Sequence, residues 1–231
     1  MLHYAANKCR KPDGTTVLLS ATPPQPMQRA AARGRLPCAR VPVRYHRHPL
    51  PVPRLLAIPA VYRIAEKQAL PPKLLASLRQ SIARGAQVFL FVPYVKQVEP
   101  FVRLLRRVAG QLPLRPEAIA GTSSKDDERG EKVVRFRERE VQLLVTTTIL
   151  ERGVTIPKSD VFILDAGNPL FDAASLVQMA GRAGRSGDDP FGFVYFGAPA
   201  LTNGQRSAIG QIRAMNAMAR KKGYLKSSER R

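Results

Sequence analysis

The sequence predicts an α/β fold, a parallel sheet flanked by helices on both faces. Three observations carry that reading. Past a proline-rich stretch, strand-like and helix-like segments alternate over about 150 residues, the pattern of a parallel sheet with crossover helices. The strand-like runs, such as Val88-Phe89-Leu90-Phe91-Val92, lack polar alternation, as strands covered on both sides do. The 231 residues are 44% hydrophobic, enough to fill a core and to argue against wholesale disorder.

Taken in order, Thr16-Val17-Leu18-Leu19 reads as a short buried strand that ends at Ser20-Ala21-Thr22-Pro23. Nine of the 20 prolines lie between Pro23 and Pro59, which predicts an extended connector or edge strand. Leu74, Leu75, Leu78 and Ile82 are spaced for one helix face, with Gly85 as the stop. A buried strand follows over residues 87–92. Val95, Val98, Phe101, Val102, Leu105 and Val108 then recur at three- and four-residue spacing, and Pro100 must lie in that helix's first turn or kink it. A weak strand over 117–120 precedes a charged helix over 125–139, anchored by Val133, Val134 and Phe136. Strands over 141–146, 161–164 and 191–196, a helix over 172–179 and a last helix over 202–222 complete the series. No internal repeat is visible.

The chain carries 38 Lys+Arg against 17 Asp+Glu, a net charge of +21. That charge sits at the ends: residues 1–58 hold +9, residues 203–231 hold +7, and the 144 residues between hold +5. Such a balance favours a polyanionic partner, nucleic acid or an anionic membrane face. No apolar run is long enough to span a bilayer, and the N-terminus does not read as a secretory signal. Cys9 and Cys38 are too few for a disulfide framework or a four-ligand zinc site, and no metal site is expected. With no Trp and 6% aromatics, a base-stacking platform is disfavoured.

The sharpest pattern is Gln178-Met179-Ala180-Gly181-Arg182-Ala183-Gly184-Arg185. Five specified residues in eight arise by chance on the order of once per few million windows. In a helix Arg182 and Arg185 would share one face, and arginine meets phosphate bidentately without losing its charge. The blander alternative is two solvated arginines near a glycine-weakened helix end. A second pattern runs from Thr146-Thr147-Thr148 through Glu151-Arg152-Gly153 to Ile156-Pro157. Hydroxyls and backbone N–H groups at the carboxyl end of a parallel strand suit phosphate oxygens, although any single threonine there could equally be β-propensity or a cap. The third is Ser20-Ala21-Thr22, weak alone but placed at a strand end.

Together and in this order the three resemble motifs III, V and VI of superfamily 2 helicases. The form of the second pattern, the connector Arg44-Tyr45-His46-Arg47-His48-Pro49-Leu50-Pro51-Val52-Pro53, and the run from Ala180 through Ser186-Gly187-Asp188-Asp189-Pro190 are similar to the ComFA family of competence helicases. Primosomal and recombination helicases are near relatives of that family. The resemblance implies a RecA-like helicase C-terminal domain over 49–231, preceded over 1–48 by the tail of a first RecA-like domain. It implies that Arg185 is an arginine finger reaching the γ-phosphate of ATP, with Arg182 beside it and Gln178 supporting the interface. Ser20, Thr22, Glu151, Arg152 and Gly153 would couple nucleotide state to domain closure. Thr146, Thr147 and Arg129 would touch the nucleic-acid backbone.

One departure matters. The chain has no G-x-x-x-x-G-K-[ST] loop and no Asp-Glu pair after a strand, so the ATP cradle and Mg²⁺ site belong to a first domain. The family's four-cysteine element is absent too. The expectation is a half-enzyme, inactive alone, that uses ATP and Mg²⁺ only with that domain, supplied by the same protein or a separate chain. Its partners would be single-stranded DNA and other competence proteins, in the cytoplasm at the inner face of the membrane. The alternatives are a non-catalytic basic nucleic-acid-binding module with a helicase-like fold, or half of a primosomal or RNA helicase.

Overall fold

The computed structural model describes residues 8–9, 11–147 and 156–226. The chain divides into two compact units, Met1–Ala39 and Arg40–Arg231. The first holds helix α1 (Gln25–Ala32), with Pro24 as its N-cap and no buried residue. A helix inside the proline-rich stretch departs from the sequence expectation. Its prolines crowd the start, where a missing N–H costs nothing. The expected strand over 16–19 does not form. Val17, Leu18 and Leu19 are exposed, and this unit has no strand among its described residues to pair with them. Ser20 and Thr22 make a local turn, the Thr22 N–H donating to Ser20 Oγ at 3.1 Å.

The second unit carries six strands: β1 (Arg54–Ala57), β2 (Gln87–Phe91), β3 (Ile119–Thr122), β4 (Leu143–Thr146), β5 (Ser159–Leu164) and β6 (Val194–Ala198). All pairings are parallel, in the order β1-β6-β5-β2-β4-β3. Its helices are α2 (Val61–Lys67), α3 (Pro72–Ala83), α4 (Val95–Arg107), α5 (Arg129–Arg137), α6 (Ala173–Ala180) and α7 (Asn203–Lys221).

Strand alternation divides the core into two layers. Val88, Leu90, Leu143, Val145, Phe162 and Leu164 pack with α2, α3 and α4. Phe89, Phe91, Leu144, Val161, Ile163 and Phe196 pack with α5, α6 and α7. This split follows from handedness. The chain travels one way across the sheet from β1 to β2 to β3, then returns through β4, β5 and β6. Parallel crossovers of one hand must switch face when the direction reverses, so the first three helices cover one face and the last three the other.

Most local expectations hold. Leu74, Leu78 and Ile82 are buried on α3, which ends before Gly85 at φ +74°. Thr202 and Gln205 form a reciprocal cap on α7, and Asp172 caps α6 by accepting from the Ser175 N–H at 2.7 Å. Pro100 lies inside α4, past its first turn. On α5, Val133 and Phe136 are buried but Val134 faces solvent. Helix α2 was not expected at all. It has seven residues, too few for a periodic signal.

Candidate nucleotide-facing loop and strand-end site

Helix α6 follows a parallel strand, so its end lies at the amino edge of the sheet. It stops at Ala180, and Gly181 to Gly184 form turns. Arg182 and Arg185 therefore do not share a helix face, contrary to the sequence expectation. The glycines explain why. Gly184 adopts φ +59°, and a Cβ there would lie 2.4 Å from the Pro190 carbonyl oxygen. A Cβ on Gly192 would lie 2.4 Å from the Ser159 oxygen. The loop doubles back on itself, and these glycines permit internal backbone approach rather than the approach of another surface. Gly184→Ala is expected to destabilise the domain by about 2 kcal/mol or more. Gly130→Ala in α5, where a Cβ meets nothing within 4 Å, should be neutral or stabilising. Thermal unfolding of the two variants checks both signs.

Several groups fix this loop. Ser159 Oγ, at the start of β5, donates to the Arg182 carbonyl at 3.0 Å. Arg44, from the connector, donates through Nη1 to Ala183 O at 2.6 Å and to Gly184 O, and through Nη2 to Gly181 O at 2.9 Å. Tyr45 Oη accepts from the Gly187 N–H at 2.9 Å. His46 is buried with Nε2 3.1 Å from Gly184 O, while Nδ1 accepts from the His48 N–H. Behind the loop, Arg84 bonds the fully buried Asp160 and also Asp189, and Asp160 accepts from the Phe193 N–H at 2.6 Å.

The electrostatics of the loop are one-sided. Burial, and then the charge of Arg185, push Arg44 down to about 10. The same two causes, in the same order, lower Arg182. The loop's own carboxylates are tied elsewhere, Asp189 to Arg84 and Asp188 to Ser186 Oγ. Among the described residues no carboxylate lies within ion-pair distance of the Arg185 guanidinium. Arg185 thus raises the charging cost of both Arg44 and Arg182, and like charges gathered in this way favour an anion beside them.

The remaining candidates sit elsewhere. Gln178 is exposed on α6, one turn before the arginines. Thr146 ends β4 and Thr147 follows it, both buried, at 0% and 6% exposure, with Thr122 of β3 in register with Thr146. Arg129 opens α5 with its Nε buried and without a hydrogen-bond partner. Thr146, Thr147 and Arg129 lie toward the carboxyl edge, roughly one strand length from the arginine loop. Glu151, Arg152 and Gly153 lie outside the described residues. Ser20 and Thr22 belong to the first compact unit. Among the described residues no group of three His, Cys, Asp or Glu side chains could hold a metal, and both cysteines are free and exposed.

Sequence reasoning assigned no site role to Arg44, His46, Arg84, Asp160 or Asp189, although Arg44, His46 and Asp189 lie in segments that resemble ComFA. Asp160 had a signal: an acid opening an otherwise apolar buried strand needs a cation. Arg44 showed only as part of the ComFA-like connector, and its task stayed hidden because its partners are backbone carbonyls about 140 residues away.

Comparison with known proteins agrees with the fold. The chain is 37% identical over 95% of its length to the competence protein ComFA of Bacillus subtilis (strain 168), and 34% identical over 95% to that of Streptococcus pneumoniae. It spans about half the length of these relatives, 46% and 50%. Among solved structures, Dbp5 of S. cerevisiae bound to RNA and ADP BeF3 superposes with a TM-score of 0.56 at 19% identity, covering 91% of this chain and 51% of that one, a likeness of fold. Residues 68–187, more than half of the sequence, match the helicase conserved C-terminal domain, and the chain belongs to that family.

Proposed function

We propose that this chain is the C-terminal motor domain of an ATP-dependent DNA helicase or translocase that serves single-stranded DNA uptake in competence. The observation that carries the reading is the arginine loop. Arg185 is half-buried beside Arg44 and Arg182, and no carboxylate neutralises it among the described residues. That donor set fits a triphosphate. ATP, when bound by a first RecA-like domain, supplies the phosphoanhydride whose cleavage drives the cycle, and that domain would also hold the Mg²⁺. Arg185 would meet the charge that develops on the γ-phosphate, with Arg182 beside it and Gln178 at the interface. Ser20 and Thr22, with Glu151, Arg152 and Gly153, would tie nucleotide state to closure.

DNA would lie along the carboxyl edge, near Thr146, Thr147 and Arg129. Because both threonine side chains are buried, their hydrogen bonds to phosphate would run through the backbone or require a local opening. The similarity to ComFA over 95% of the chain supports competence as the setting. Other competence proteins as partners, and the inner membrane face as the location, are part of the same proposal. No helix among the described residues is long and apolar enough to cross a membrane.

The test is complementation. The chain alone should show no ATP turnover, and addition of a first RecA-like domain should produce DNA-stimulated turnover. DNA binding without turnover in the mixture would favour a non-catalytic nucleic-acid-binding module instead.

A further inference from the structure

We propose that Arg44, assisted by His46, is a positioning residue that sets the placement of Arg182 and Arg185. The inference rests on the nucleotide-facing reading of that loop and adds a residue from a distant part of the chain to it.

Backbone carbonyls in a turn lie outside any helix ladder and need other donors. Just past the end of α6, Gly181, Ala183 and Gly184 offer three of them, and a single guanidinium takes all three. The planar fork of arginine can do this with fixed geometry, which lysine cannot reproduce. His46 adds a second bond to Gly184 O. Its Nδ1 accepts from the His48 N–H, so the neutral ring carries its proton on Nε2 and donates to that carbonyl. The ring is wedged between Tyr45 and His48, at centroid distances of 5.2 and 5.6 Å, and His48 in turn meets Phe191 edge-on at 5.0 Å. The connector thus grips both arms of the doubled-back loop.

The connector is itself held. Asn216 of α7 accepts from the Leu50 N–H at 2.8 Å and donates to the Leu50 carbonyl at 2.9 Å. Arg47 donates to Tyr224 O at 2.8 Å and Gly223 O at 3.1 Å, just beyond the end of α7. Arg44 therefore stands on a fixed base. Its own position is electrostatically unfavourable, buried next to the like charge of Arg185. The three carbonyl bonds offset that cost, and what they fix is the backbone on either side of Arg182 and the carbonyl just before Arg185.

The experiment uses the complete protein, first RecA-like domain included, with Arg44→Ala, Arg44→Lys, Arg185→Ala and the Arg44→Ala/Arg185→Ala double variant. Arg44→Ala should lower kcat on the order of 10²-fold with KM for ATP little changed, as misplacement of a reacting group does. Arg44→Lys should recover only part of that loss. The double variant should be no worse than Arg185→Ala alone, because Arg44 acts through the loop. Hydrogen exchange at 181–187 should rise in Arg44→Ala while the strands keep their protection. Full additivity of the two losses, or unchanged exchange in the loop, overturns the proposal. Should Arg44→Ala not fold, Arg44→Lys carries the same exchange and additivity tests. If Arg185→Ala leaves turnover intact, the finger reading fails, and the exchange result still decides whether Arg44 positions the loop.

Discussion

Arg185→Ala, in a protein completed by a first RecA-like domain, is expected to lower ATP turnover by about 10³-fold while ATP binding persists. Binding should survive because a phosphate cradle and Mg²⁺ site on the other domain would hold the nucleotide in the ground state. Turnover should fall because the charge spreading over the γ-phosphate oxygens would lose the donor proposed to meet it. The loss corresponds to about 4 kcal/mol of transition-state stabilisation. Arg185→Lys would keep the charge but not the bidentate fork, and should restore only a fraction. Steady-state turnover measured alongside nucleotide binding separates the two steps. A variant with normal turnover would remove Arg185 from the chemistry.

Asp160→Ala should be among the most destabilising single substitutions in the domain, at about 3–5 kcal/mol. Asp160 is fully buried at the second position of β5. It accepts from Arg84 Nε at 3.0 Å, from Arg84 Nη2 at 2.5 Å and from the Phe193 N–H at 2.6 Å. Burial alone would depress the Arg84 guanidinium, yet the bonds from Asp160 and Asp189 hold its pKa above the ordinary arginine value. Removal of Asp160 strands a buried N–H and leaves Arg84 with Asp189 alone. Because Phe193 and Asp189 belong to the segment that doubles back under Gly184, the damage should reach the arginine loop as well as the core. Denaturant unfolding measures the loss. A value under about 1 kcal/mol would mean that the network behaves like an exposed ion pair.

What the sequence disclosed follows from how locally each feature is written. The β2 run and the stripe on α4 are coded by contiguous or periodic residues, and both appear where expected. The arginine pair stood out in the sequence as a pattern, but its conformation did not. Its helix ends early because Gly184 takes a left-handed turn against Pro190, a contact between residues six apart that no periodicity expresses. The strand expected over 16–19 has β-branched and aliphatic residues but, among the described residues, no strand beside it. Sheet structure is a property of pairs, and the pattern of one strand does not supply the other. The deepest omissions, Arg44 and Arg84, are cations held by partners far along the chain. In a sequence with 38 basic residues nothing marks out Arg84, and Arg44 shows only as part of the ComFA-like connector.

The division of the candidate groups between the two edges of the sheet carries a mechanical consequence. Strands β2, β4, β5 and β6 are buried along their whole length, and close-packed layers of that kind resist compression. The sheet is therefore a strut. If closure on nucleotide displaces the amino edge, the displacement reaches the carboxyl edge as a tilt of the whole body rather than as a wave of local adjustments. The stride along DNA would then be fixed by lever geometry, the angle of tilt multiplied by the height of the strands. Softening β4 or β5 with a core cavity should shorten the stride without weakening either grip.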